Sequence, residues 1–467
     1  MIINEMDLGS FDLEEEYDYD LDDGGMYDSH YSYDDQNSYI TFAEIIESCA
    51  IPTVRDICRS FFPTLALCFA FQLFNYFTPG INVKIKHILS GILGIGILYM
   101  YVEHRIIHSI AVAVIFYLTV VGCIKNGIRT SLTSLLLLSY LTICEFTFQR
   151  LEWPRIRNVQ MLIVMKAVSL TMDYEGKFIR EFPSFFEYFG YIFCFGNCIF
   201  GPWVDFKSYL EIFVPKRPTR QYVTEVVKSV VLGFAFFVLS MCLIDWLLQR
   251  YSQSTWGIMY GKAAEFRSGH YFVMYLSSSL ALAAGFESLK GKSDSITKPN
   301  MIEFPHSLVE VVVNWNIPMH NWLKRYTFKP LQSYGNFLAV IGTYFVSSLL
   351  HGLNYRLSGV LLSLGVYTYV EHTFRRKLSY RMNACISSKS CRLSCDKHRF
   401  TGRKLGVCFI NLFFTILALY HLSYLGCLID LRADDNVTFY QAFDRWRGLR
   451  YESHYVILIT YIVSLFL

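Results

Sequence analysis

Two polar residues stand where an apolar chain should not tolerate them. His351 closes the run Val340-Ile341-Gly342-Thr343-Tyr344-Phe345-Val346-Ser347-Ser348-Leu349-Leu350 and is followed by Gly352. An ionisable side chain in such a run is costly, so it marks a functional site until a partner explains it. Imidazole can move a proton near neutral pH, which suits a general base or a proton relay. An imidazole bonded only to a neighbouring helix fits the same pattern. Asn316 lies thirty-five residues earlier, in Trp315-Asn316-Ile317-Pro318. Pro318 disfavours helix at Ile317, so Trp315 and Asn316 sit at a break. Downstream, Trp322 and Tyr326 are interfacial aromatics, while Lys324 and Arg325 face a headgroup or phosphate-rich surface. An interfacial amphipathic helix anchored by these aromatics and basics is the plainer alternative.

Other candidates carry less. His104 and His108 form an i,i+4 pair with no third ligand nearby, which reads as a polar loop between spans. Glu371-His372 reads as a structural pair at a helix end. Cys385, Cys391, Cys395 and His398 form a loose C-x5-C-x3-C-x2-H set. The reading taken from spacing alone is a reduced cytosolic loop with no metal. The chain has thirteen cysteines, and most fall in apolar runs, where a free thiol is a small buried hydrophobe. No C-x-x-C pair, Gly-x-Ser-x-Gly elbow, phosphate-binding loop, dinucleotide fingerprint or Asp-His-His-Cys motif occurs. The last absence argues against acyl transfer through a cysteine intermediate.

The elements that must position these residues are membrane helices. Of 467 residues, 53% are hydrophobic and 17% charged, against roughly 25% charged in soluble domains. Twelve apolar segments run from 61–78 to 452–467. The expected fold is an all-α polytopic membrane protein with about ten or eleven spans plus re-entrant or interfacial helices. Some segments are interrupted, such as 159–171 by Lys166 and 187–201 by Gly190, Gly196 and Asn197. No inverted repeat is visible, which weakens a transporter reading.

The net charge of +3 hides a split. Residues 1–35 hold 13 acidic and no basic side chains, leaving residues 36–467 with a net charge of +16. Residues 1–38 read as a disordered acidic tail without signal-peptide character, and 39–467 as a single membrane domain. The segment 374–404 carries ten Lys and Arg against Asp396 alone, which places it in the cytosol. Segment 405–428 then crosses outward and puts Asn436-Val437-Thr438, the one glycosylation sequon, in the lumen.

Leu350-His351-Gly352, with Asn316 thirty-five residues upstream, resembles the signature of the membrane-bound O-acyltransferases. The pattern Trp315-Asn316-x-Pro-Met-x-x-Trp-Leu-x-x-Tyr-x-Phe-Lys, with Thr368-Tyr369-Val370-Glu371-His372, is similar to the branch that acylates Wnt proteins. Met165-Lys166-Ala167-Val168-Ser169-Leu170 and Phe200-Gly201-Pro202-Trp203 extend the resemblance over roughly residues 60–467. It implies a bundle of that family's type, multi-pass in the endoplasmic reticulum membrane. It further implies a protein-serine O-palmitoleoyltransferase with palmitoleoyl-CoA as co-substrate and no cofactor. Wnt proteins would be the acyl acceptors, with membrane lipids but no nucleic acid among its partners. By this carry-over His351 is the catalytic histidine and Asn316 the second active-site residue. Trp315 would line the pocket, and Lys324 and Arg325 would meet substrate phosphates. The resemblance leaves a lysophospholipid or sterol acyltransferase as the alternative. The residues alone also admit a channel or transporter. The acidic tail has no counterpart in the family pattern.

Overall fold

Capping side chains mark where the long helices begin in the computed structural model. It describes residues 41–122, 129–148, 153–214, 219–251, 254–286, 296–352, 354–391, 395–429 and 439–467. The acidic tail and the sequon lie outside the described residues. The principal helices are α1 (Ile51–Phe77), α2 (Val83–Val102), α3 (Ile106–Gly122), α4 (Arg129–Thr147) and α5 (Trp153–Glu175). They continue with α6 (Phe185–Ile192), α7 (Arg220–Val238), α8 (Thr255–Ala283), α9 (Leu308–Trp315) and α10 (Ile317–Leu323). The last four are α11 (Asn336–Leu350), α12 (Tyr355–Met382), α13 (Leu405–Gly426) and α14 (Glu452–Phe466). Asn82, Thr219, Ser254, Ser307 and Asn354 each accept a backbone N–H of the first turn of α2, α7, α8, α9 and α12. That is the bond these short polar side chains make best.

The bundle is organised for lipid. Large apolar side chains point outward, as at Ile115, Leu135, Phe413 and Ile459, each about 60% exposed. The inside holds polar groups that satisfy one another. Fully buried Lys166 on α5 donates to the carbonyls of Tyr191 and Ile192 at 3.0 Å and to Asn197 Oδ1 at 2.9 Å. The interrupted segments of the sequence are therefore internal, and the lysine stitches two of them together. Tyr188 and Tyr191 likewise donate to the carbonyls of Ala113 and Val204 at 2.8 Å. α2 crosses α6 closely because Gly94 carries no side chain. A Cβ there would collide with the Phe193 carbonyl.

Among the described residues, five helical stretches are long and apolar enough to cross a membrane, and α11 and α14 are shorter apolar helices. The expectation was ten or eleven spans. Two features lie behind the difference. The stretch Val83–Gly122 holds two helices joined by a tight turn at Glu103–Arg105. Helices α5, α8 and α12 have 23, 29 and 28 residues but face other protein and carry charges. One cysteine departs from the reading as a free buried thiol: Cys242 is disulfide-bonded to Cys49. The partner lies 193 residues away and ahead of the first apolar run, where no spacing signals it.

Candidate active site

His351 sits at the end of α11 because the next residue must be glycine. Gly352 has φ +86°, a left-handed conformation that strains any residue with a Cβ. It also lies against a charged pair. A Cβ at Gly352 would stand 2.7 Å from Glu145 Oε2 and 3.0 Å from an Arg157 guanidinium nitrogen. Glu145, on α4, accepts the indole N–H of Trp153 at 2.5 Å, and Arg157 lies buried on α5. The histidine is thus placed where α11 meets α4 and α5. The His351 backbone N–H closes the helix onto the Ser347 carbonyl at 3.2 Å. Its half-buried imidazole makes no hydrogen bond among the described residues. Among the described residues no neighbouring helix bonds the imidazole, as an anchoring role would require.

Asn316 forms the break that Pro318 requires. With φ −142° and ψ 91° it ends α9 and begins α10. Its Oδ1 accepts the Met319 N–H at 3.1 Å, and its carbonyl accepts the His320 N–H at 2.8 Å. This cap fixes the amide orientation, because a backbone N–H needs an acceptor. The Nδ2 hydrogens are left unused among the described residues, so Asn316 offers a donor.

Trp315 is held by α8. Its indole stacks on His270 with centroids 4.2 Å apart and planes 12° apart, and more loosely on Phe266 at 5.9 Å. His270 Nε2 lies 3.0 Å from the Trp315 carbonyl oxygen. A carbonyl only accepts, so the proton is on Nε2 and Nδ1 keeps its lone pair. His270 therefore holds the residue beside Asn316. Sequence reasoning missed it, although the available signal was the same as for His351: a histidine at the edge of an apolar run, 270–286. Its partner is 45 residues away.

The two basic residues expected at the site separate. Arg325 bonds Asp173 at 2.7 Å, approaches Asp205 at 3.9 Å and lies over the Phe178 ring. Tyr326 donates to the same Asp173 carboxylate at 3.0 Å. Arg325 is thus committed to α5, where buried Asp173 would otherwise be left without its cation. Lys324 is exposed and makes no ion pair among the described residues, so it is the better placed of the two to meet a phosphate. Two expected outcomes follow. Arg325→Ala should cost about 2 kcal/mol of stability, the scale of a charged hydrogen bond, seen as a lower thermal midpoint in detergent. Lys324→Ala should leave the midpoint unchanged and raise the KM for an acyl-CoA.

Glu371 and His372 are tied to neighbouring elements, and His104 and His108 lie at and just after the turn between α2 and α3. Glu371 accepts the Leu308 N–H at 2.8 Å and pairs with Arg375 at 3.1 Å, while His372 Nδ1 lies 2.6 Å from Ser388 Oγ. His104 and His108 are exposed, and His108 packs on Phe148.

The model of the membrane-bound O-acyltransferase family matches residues 96–386, a stretch that contains Asn316 and His351. The chain belongs to that family. It is therefore an acyltransferase and a membrane protein. Similarity also extends beyond the matched stretch. The chain is 33% identical to the protein-serine O-palmitoleoyltransferase porcupine of Mus musculus, over 89% of this chain and 95% of that protein. It is 32% identical to the protein of that name from Anopheles gambiae, over 91% and 94%. Lysophospholipid acyltransferase 1 of Arabidopsis thaliana is 24% identical over 56% of this chain and 63% of that protein.

Proposed function

We propose that this acyltransferase moves a palmitoleoyl group from palmitoleoyl-CoA to a serine hydroxyl of a Wnt protein at the endoplasmic reticulum membrane. The observation that carries the reading is the reach of the similarity. Enzymes named for protein-serine O-palmitoleoyl transfer align along nearly the whole chain, whereas the lysophospholipid acyltransferase aligns along little more than half.

The chemistry fits the side chains in place. A serine hydroxyl is a weak nucleophile until its proton is removed during attack. His351, with no hydrogen-bond partner among the described residues, takes that proton as the serine oxygen bonds to the thioester carbonyl carbon. The C–S bond then breaks, and the proton passes from the imidazole to the leaving CoA thiolate. Asn316 Nδ2 donates to the carbonyl oxygen as it gains negative charge. The bundle keeps water from the thioester, and holding both substrates in register supplies much of the rate. Lys324 meets CoA phosphates, and the reaction needs no resident cofactor.

The test is transfer by the purified full chain, with palmitoleoyl-CoA and either a Wnt-derived peptide containing its serine or a lysophospholipid. Mass spectrometry should find an added palmitoleoyl group on the peptide and none when the serine is alanine. Transfer to the lysophospholipid alone would overturn the reading.

A further inference from the structure

The basic segment beyond α12 folds into a small knot that its own apolar content does not explain. Its core is Ala384, Cys385, Ile386 and Val407, far too little to hold a loop of this length. The backbone is pinned at one point. Ala384 and Phe400 form a parallel bridge, with Cys385 N–H donating to the Phe400 carbonyl at 2.9 Å and Phe400 N–H to the Asn383 carbonyl at 3.0 Å. That bridge brings His398 beside Cys385.

The result is a cluster with metal-site dimensions. The three sulfurs of Cys385, Cys391 and Cys395 and Nδ1 of His398 all lie within 4.8 Å of one another. The Sγ···Nδ1 distances are 3.6, 3.7 and 3.4 Å. A tetrahedral zinc with Zn–S of about 2.3 Å and Zn–N of about 2.1 Å sets its S···N edges at about 3.6 Å. The histidine is also oriented as a ligand. Its Nε2 lies 3.3 Å from Ser379 Oγ, and that hydroxyl already donates to the Ala384 carbonyl at 2.6 Å. Ser379 can therefore only accept from His398, which puts the proton on Nε2 and turns the Nδ1 lone pair toward the sulfurs. A second hydrogen bond that fixes the tautomer is the usual companion of a metal-bound histidine.

We propose that Cys385, Cys391, Cys395 and His398 bind one zinc ion. Spacing alone favoured a reduced loop, because C-x5-C-x3-C-x2-H is not a compact ligand pattern; the bridge and the Ser379 contact supply what spacing lacks. Charge agrees. Three thiolates and a neutral imidazole around Zn²⁺ carry one net negative charge, in a segment, residues 383–404, with six cationic side chains and one acidic. A disulfide could use only two of the three thiols, and the cytosolic face assigned by those cations disfavours it.

The site has a structural consequence. Arg375, fully buried, donates to the carbonyls of Ile386 at 2.8 Å and His306 at 2.5 Å. Ser307, the cap of α9, donates to the Ser388 carbonyl at 2.8 Å. The knot thus grips the start of the helix that ends at Asn316.

The full chain, purified in detergent under reducing conditions without chelator, should contain about one zinc per chain by mass spectrometry of the metals, as a closed four-ligand site requires. Cys391 and Cys395 should resist maleimide until a strong chelator is added, whereas exposed Cys408 should react throughout. Cys385→Ser with Cys395→Ser should reduce bound zinc at least tenfold, and Ser379→Ala should weaken retention against a competing chelator about tenfold. Should the double variant fail to fold, the metal content and thiol protection of the unaltered chain decide the matter. Substoichiometric zinc with thiols as reactive as Cys408 would overturn the proposal. So would iron in its place, or a disulfide among the three cysteines.

Discussion

His351→Ala should lower the rate of acyl transfer by about 10³-fold, within the 10²–10⁴ range a general base contributes, while leaving folding and acyl-CoA binding intact. Both halves of this expectation come from the same observation. The imidazole is half-buried and makes no hydrogen bond among the described residues, so truncation breaks no contact that holds α11. The features that do hold the turn, Gly352 at positive φ and the Ser347 carbonyl accepting the residue-351 N–H, belong to the backbone and survive in alanine. Single-turnover transfer to a serine peptide measures the first half. Thermal midpoint and equilibrium binding of a non-hydrolysable acyl-CoA analogue measure the second. A gating or relay histidine in a transport protein would leave transfer untouched. Native-rate acylation by the variant would remove His351 from the mechanism.

Much of the site was legible because it violates the solvent rule of the membrane. His351 ends an otherwise apolar helix, and Asn316 sits at a proline-enforced break, so both announce themselves locally. What stayed hidden depends on partners far along the chain. Lys166 looked like an interruption of segment 159–171 until Asn197 and the Tyr191 and Ile192 carbonyls were seen around it. Arg325 looked free to bind phosphate, but Asp173, 152 residues earlier, claims it. The same distance problem concealed His270 behind Trp315 and Cys49 behind Cys242. Hydropathy also misplaced some boundaries. Segment 356–370 is the apolar part of α12, which continues to Met382 through Arg375, Arg376, Lys377 and Arg381. Arg375 is buried there as a hub rather than exposed as loop charge. Charge counting along a sequence can therefore mistake what an individual cation does.

Asn316→Asp is the change that separates capping from chemistry. Asparagine at this position does two things with one amide. Its Oδ1 caps α10 through the Met319 N–H at 3.1 Å, and its Nδ2 is left as a donor. Alanine would lose both, at a cost of about 1 kcal/mol for the cap alone, and a slow variant would then be ambiguous. Aspartate keeps an acceptor in the same place and is as good a helix N-cap as asparagine. It cannot donate when ionised, and under the proposed mechanism it puts negative charge where the thioester oxygen is to gain its own. The expected result is an unchanged thermal midpoint with kcat reduced about 10²–10³-fold, the loss typical of one oxyanion donor. The KM for acyl-CoA should move much less, because the donor matters most once charge has developed on the oxygen. If instead Asn316→Asp transfers at the native rate, then Asn316 only shapes the α9–α10 break. Oxyanion stabilisation would then have to come from another donor.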